Sequence, residues 1–472
     1  MQAPSPRTLG ELRGAGHGLR TLREEIHANL LRKLGAGEEL FPGILGYDDT
    51  VIPAAMNAIL CGHDLIFLGE RGQAKSRMIR AMTLLLDEWV PEVAGSEIHD
   101  DPFAPVSAFG RAQVAEHGDA TPIAWVYRED RYVEKLATPD VSIADLIGDV
   151  DPIKVAEGRT LGDELTMHFG LLPRGNRGIF CINELPDLTE KVQVGLFNVM
   201  QERDVQVKGY SVRLPLDVLV VASANPEDYT SRGRIITPLK DRYAAQVRTH
   251  YPLTRELELE VSRQEARLPT VPGVEAVVPP FMEEIVAELT FQARSSPDVN
   301  QTSGVSVRMT IANYETLTAN ALRRALRRGE SEAVPRICDL EALVTSTAGK
   351  LELEYAGEDR TEIQVVEDLM SRATRAVFDA RVPLEGMAPV IESFNQGWNV
   401  EVSADMPAAD YLEGLEEIQG LRDAAARLAG GDSPERLASA IEFLLEGLHL
   451  QNRLNKSSSD GGARYGASPG GP

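Results

Sequence analysis

Between Asp64 and Asn225 the chain alternates short apolar runs with amphipathic stretches. Four runs, "DLIFLG" (64–69), "PIAWVY" (122–127), "GIFCIN" (178–183) and "DVLVVASAN" (217–225), are apolar at consecutive positions. That pattern predicts strands covered on both faces, and strands separated by helical stretches predict an α/β unit with a parallel sheet. "QVGLFNVMQER" (193–203) reads as a helix, and "DVQVKGYSVRLPL" (204–216) as a hairpin turning at Gly209. Upstream, Leu19, Leu22, Ile26, Leu30 and Leu31 recur at helical spacing, with Gly35 and Gly37 marking the end of that helix.

After about Pro252 the strand pattern stops, and "FMEEIVAELTFQARS" and "RMTIANYETLTANALRRALRRG" announce a separate helical region. The expected organisation is a helical lead-in (1–40), an α/β domain (41–251), an α-helical domain (252–385), a further helical region (386–455) and a disordered tail (456–472). Ser433 before Pro434 predicts the cap of a helix in the fourth segment. The Gly/Ser-rich end "KSSSDGGARYGASPGGP" suggests disorder for the fifth.

Composition narrows the setting. At 472 residues with 43% hydrophobic content, several cores fit. A formal charge of −24 argues against a general grip on nucleic acid, which depends on clustered Lys and Arg. No apolar run reaches the roughly 18 residues of a membrane span, and the N-terminus lacks an apolar signal core. Three widely spaced cysteines, Cys61, Cys181 and Cys338, form neither a disulfide framework nor a metal motif. They are expected as buried small apolar residues in a reducing, cytoplasmic compartment.

The chemistry begins at "GERGQAKS". A phosphate-cradling loop needs inward backbone N–H groups between a strand and a helix start. Gly69, Glu70, Arg71, Gly72, Gln73, Ala74, Lys75 and Ser76 supply that frame, with Lys75 for the β and γ phosphates and Ser76 for Mg²⁺. Ala74 occupies a glycine position; in a left-handed backbone its methyl costs about 1–2 kcal/mol. The run "GIFCINELPDL" ends in Asn183 and Glu184 at the carboxyl edge of the sheet. Glu184 suits activation of a water, and the Asn183 amide oxygen could accept from a water on Mg²⁺. Asn225 ends the next run, where a neutral amide can orient that water. Of Arg232, Arg234 and Arg242, Arg242 is the candidate to reach a neighbouring subunit's γ-phosphate. Arg308 starts a helix of the second domain.

In this order the motifs resemble those of the AAA+ ATPases, and more narrowly the branch joining MoxR-like proteins to the ATPase subunit (subunit I) of magnesium chelatase. The resemblance covers about residues 38–385. It implies a three-layer α/β/α P-loop NTPase core followed by an α-helical lid, with an insert in the second helix and a hairpin before sensor 1. It makes Lys75 and Ser76 the Walker A pair, Glu184 the Walker B glutamate, Asn225 sensor 1, Arg242 the arginine finger and Arg308 sensor 2. "FPGILGYDD" resembles the segment on the adenine side, which brings in Ile44 and Leu45. The branch further implies ATP and Mg²⁺ as cofactors and a ring, usually hexameric, that remodels a protein client. A von Willebrand factor A domain partner is common in it. Magnesium chelatase itself, and a weakly active nucleotide-binding scaffold, are the alternative functions. Ala74 and Asn183 depart from the branch pattern, and residues 386–472 have no counterpart in it.

Overall fold

The computed structural model describes residues 3–151, 153, 164–206, 213–225, 233–354, 360–413, 415, 418–459 and 462–468. The chain forms two compact units, 1–250 and 251–472.

The first unit is built on five strands: β1 (Leu65–Leu68), β2 (Tyr132–Leu136), β3 (Gly178–Asn183), β4 (Val218–Ala224) and β5 (Ala245–Arg248). Their order is β5-β1-β4-β3-β2, and all four pairings are parallel. Alternate residues feed two separate cores. Leu65, Phe67, Cys181 and Val221 pack with Met78 and Ile79 on one face, while Ile66, Phe180, Ile182 and Val220 pack with Val192, Leu196 and Leu239 on the other. These parallel strands with apolar cores on both faces make a three-layer α/β/α core, and the loop after β1 lies beside the central strand β4.

Three of the expected strands are β1, β3 and β4. The fourth, at 123–127, lies outside the parallel sheet and pairs antiparallel with Trp89–Val93. The true neighbour of β3 is β2, whose "YVEKL" is partly exposed at Tyr132–Lys135 and exposed at Leu136 because it forms the sheet edge, so it shows no apolar run. The 204–216 hairpin is present as Asp204–Gln206 against Arg213–Pro215; its expected turn at Gly209 lies outside the described residues. The insert forms the helix Ile143–Ile147 and an antiparallel pair, Gly148–Val150 with Met167–Phe169.

The lead-in helix runs Leu22–Ala36, opened by a capping box between Thr21 and Glu24 and closed by Gly37 in the left-handed region. Leu22, Ile26 and Leu30 are buried; Leu19 and Leu31, expected on the same stripe, are exposed. A fully buried ion pair ties this helix to the sheet. Arg131, just before β2, bonds both oxygens of Glu25 at 2.7 and 2.8 Å and gives its Nε–H to the Arg177 carbonyl. Glu25 also accepts from the Asp87 amide.

In the second unit the helices Pro280–Ser295, Val307–Arg328, Glu362–Arg381 and Pro434–Leu450 share one continuous core running from Phe281 to Tyr465. Phe443 stacks on Phe281 with centroids 4.5 Å apart, so segment 386–455 packs into the same core as the preceding helices. Strands continue past Pro252: β6 (Val400–Ser403), β7 (Leu454–Ser459) and β8 (Gly462–Ala467) form an antiparallel sheet in the order β6-β8-β7. The tail expected to be disordered is therefore largely a hairpin, anchored by buried Leu454 and Tyr465. Ser433 caps the Pro434–Leu450 helix as expected. In "RRALRRG", Arg324 turns inward onto Asp339. Of the cysteines, Cys181 is buried and Cys338 half-buried, whereas Cys61 is exposed, contrary to expectation.

Candidate functional site

The loop Gly69–Ala74 joins the end of β1 to the helix Lys75–Ala81. Gly69 has no room for a side chain: an added Cβ would overlap Thr249 Oγ1 and Gln73 Oε1. Gln73, itself buried, fixes the loop from inside by accepting from the Glu70 amide at 3.0 Å and from Thr249 Oγ1 at 2.7 Å. Gly72 has φ 77° and Ala74 φ 54°, ψ 15°, so both hold left-handed backbone. The glycine position that alanine occupies thus does demand the conformation that penalises a methyl. Arg71 and Ser76 are exposed at the loop surface.

Lys75 draws the motifs together. Its ammonium donates to the carbonyls of Gly69 and Glu70 and, at 2.7 Å, to Oδ1 of Asn225 at the end of β4. A cation held by three oxygens beside this strand-to-helix loop is the electrostatic arrangement that a polyphosphate can take over.

Glu184 follows β3 directly, in left-handed backbone with φ 56° and ψ 47°, and its amide donates to Ser223 Oγ at 3.2 Å. A non-glycine residue in that region stores about 1–3 kcal/mol of strain, which the flanking buried strands hold in place. Asn183 is buried, and its Oδ1 accepts from Ser223 Oγ at 3.1 Å and lies 3.5 Å from Cys181 Sγ. The oxygen expected to face a cation-bound water is thus turned into the sheet. Its Nδ2 donates to Glu134. Burial pushes the neighbouring Cys181 thiol up to about 12, so it is a neutral donor here.

In "FPGILGYDD", Ile44 is buried in the core beneath the loop and Leu45 is half-buried. The residue that matters most there was not anticipated. The Tyr47 hydroxyl lies 2.9 Å from the Gln73 carbonyl and 2.8 Å from the His250 carbonyl, with its one proton shared between them, and its ring meets His250 edge-on. Burial pushes its hydroxyl up to about 12. Gln73 was expected as part of the loop, but Tyr47, Thr249 and Ser223 were not, because they act through hydrogen bonds to backbone groups and to other bracing side chains, for which no residue spacing exists. A cavity of about 310 Å³ opens beside Gly69 and Glu70, rimmed by Lys240 and Arg248.

Arg242 lies apart from these groups in its own chain. Its guanidinium donates to the Pro238 carbonyl and to Gln201, 4.8 Å above the Phe197 ring. Arg234 is exposed and faces Glu190 at 3.8 Å; Arg232 lies outside the described residues. Arg308 stands exposed in the first turn of the Val307–Arg328 helix, in the second unit. No helix among the described residues is long and apolar enough to cross a membrane.

Residues 158–240 match the sigma-54 interaction domain family. The chain is 28% identical over 237 residues to the magnesium-chelatase 38 kDa subunit of Rhodobacter capsulatus, a match of 48% of this chain and 59% of that protein. It is 27% identical over 258 residues to magnesium-chelatase subunit ChlI of Nostoc sp., covering 53% of this chain and 63% of that one. The matched part therefore spans about three-fifths of these relatives. Among solved structures, one of the BchI–BchD complex of magnesium chelatase aligns at 21% identity over 69% of this chain and 98% of that chain, with a TM-score of 0.36.

Proposed function

From a chain that is an AAA+ relative of the magnesium-chelatase ATPase subunits, we propose an ATP-hydrolysing ring subunit that remodels or activates a protein client. The observation carrying this reading is Lys75 bonded both to the phosphate loop and to Asn225 on the neighbouring strand. That bond couples a nucleotide grip to a water-positioning amide, which a plain binding loop does not need.

The loop amides and Lys75 hold the β and γ phosphates, while Ile44 and Leu45 lie towards the adenine. Glu184 takes the proton of the attacking water, Asn225 orients that water, and Ser76 presents a hydroxyl to Mg²⁺. Bound Mg²⁺ would neutralise charge on the phosphates. An arginine from the adjoining subunit, Arg242 by likeness to the branch, completes the site in a hexameric ring, and Arg308 senses the nucleotide from the lid. A von Willebrand factor A domain protein is the partner this branch suggests.

E184Q should retain nucleotide binding and lose turnover by about 10²–10⁴-fold, and wild-type turnover per subunit should fall as the protein is diluted to monomers. Equal turnover by E184Q and wild type would overturn the role of Glu184. Binding without turnover in either protein would leave a nucleotide-dependent scaffold instead.

The named relatives favour a second reading, the ATPase subunit of a magnesium chelatase. Mixing the chain with the other chelatase subunits, protoporphyrin, ATP and Mg²⁺ separates the two: metallated porphyrin supports chelation, and its absence supports a protein client. A transcriptional role, which the sigma-54 match raises, lacks the Gly-Ala-Phe-Thr-Gly-Ala loop in this sequence.

A further inference from the structure

Asn183 ends β3 where P-loop enzymes present an aspartate towards the cation. A neutral amide removes one negative charge from the donor set of a hard divalent ion. The surrounding hydrogen bonds deepen the deficit, because Ser223 Oγ and Cys181 Sγ take both lone-pair directions of the amide oxygen.

The remaining polar edge, Nδ2, leads to Glu134, whose Oε1 it contacts. Glu134 stands on β2 opposite Cys181. Its side chain therefore emerges on the sheet face where Cys181 packs with Met78 and Ile79 of the phosphate-loop helix. Its other oxygen accepts from Arg80 Nη2 at 2.7 Å. Arg80 lies one helical turn beyond Ser76, on the same stripe of that helix. One carboxylate is thus held between the strand end that lacks a charge and the helix whose first turn carries the cation-binding hydroxyl. The Glu134 side chain is 27% exposed and that of Arg80 65%, so the pair opens to solvent rather than serving the core.

We propose that Glu134 supplies the carboxylate that Asn183 lacks, moved one strand sideways, and accepts a hydrogen bond from water on the bound divalent cation. Asn183 is then a positioning residue that aims Glu134, and Arg80 balances its charge when no cation is present. This inference rests on the nucleotide-binding reading of the loop.

The test is equilibrium binding of a fluorescent ATP analogue to the full chain, in EDTA and across a Mg²⁺ series. Its readout is the Mg²⁺ concentration that half-maximally raises nucleotide affinity. E134Q should raise that concentration about 10–100-fold, the usual cost of losing an outer-sphere partner, with affinity in EDTA unchanged. Adding N183D to E134Q should bring the midpoint back towards wild type, because the charge returns on the adjacent strand. An unchanged midpoint in E134Q overturns the proposal. So does a raised midpoint that N183D fails to restore, since Glu134 would then act through the fold and not through its charge. Wild-type binding that ignores Mg²⁺ sinks this inference alone, whereas absence of any binding sinks the nucleotide reading with it.

Discussion

At the scale of single residues, two non-glycine residues at the site hold left-handed backbone, Ala74 at φ 54° and Glu184 at φ 56°. Only the first has a simple remedy. A74G should relieve about 1–2 kcal/mol of steric cost, offset by up to about 1 kcal/mol from the looser unfolded chain. The expected result is equal or modestly higher stability by denaturant titration, with tighter nucleotide binding; weaker binding would show that the methyl itself packs usefully. The sequence supports the expectation for Ala74 because a glycine pattern states what backbone it requires. Glu134 could not be anticipated in the same way. Its importance depends on a neighbour 49 residues away, and a half-exposed glutamate in "YVEKL" looks like any solvent-facing side chain.

At the scale of elements, periodicity was informative where a strand is covered on both faces and misleading at the sheet edge. β1, β3 and β4 are buried along nearly their whole length, whereas β2 mixes apolar and charged residues because the edge needs less apolar cover, and the apolar 123–127 pairs outside the main sheet. The C-terminal hairpin was missed for a different reason. Its serines and glycines suggest a flexible chain, and its apolar anchors, Leu454 and Tyr465, are too sparse to form a strand pattern. The Pro434–Leu450 helix illustrates a cap that does two things. Ser433 Oγ accepts from the Arg436 amide and donates to Glu332, and Arg436 grips both Glu332 oxygens at 2.9 and 2.7 Å. These bonds, Arg436 foremost, hold the Glu332 carboxyl below its ordinary range. A depressed carboxylate stabilises the fold above its unfolded pKa, and that contribution is lost as pH falls through the lower folded value. E332Q should therefore lower stability at neutral pH and flatten the acid limb of the unfolding curve; parallel acid limbs in both proteins would refute the linkage.

At the scale of the whole molecule, the main core of the second unit runs through the helices on both sides of residue 385. Phe281 is stacked by Phe443, and Phe378 meets the same ring edge-on at 5.8 Å. A chain ending at residue 385, where the family likeness ends, would uncover Phe281 and Phe378 together. It should lose the cooperative thermal transition of the second unit and aggregate, and a retained transition would show that the earlier helices suffice. The opposite end has the same lesson in charge instead of surface. Arg131 meets its carboxylate, Glu25, on the Leu22–Ala36 helix, and breaking a buried pair from one side costs about 3–5 kcal/mol. A protein trimmed at the front to its recognisable motifs would leave that guanidinium with the Arg177 carbonyl but without its carboxylate, at the root of the very strand that carries Glu134. What looks like a dispensable leader is in this sense the foundation stone of the far edge of the sheet.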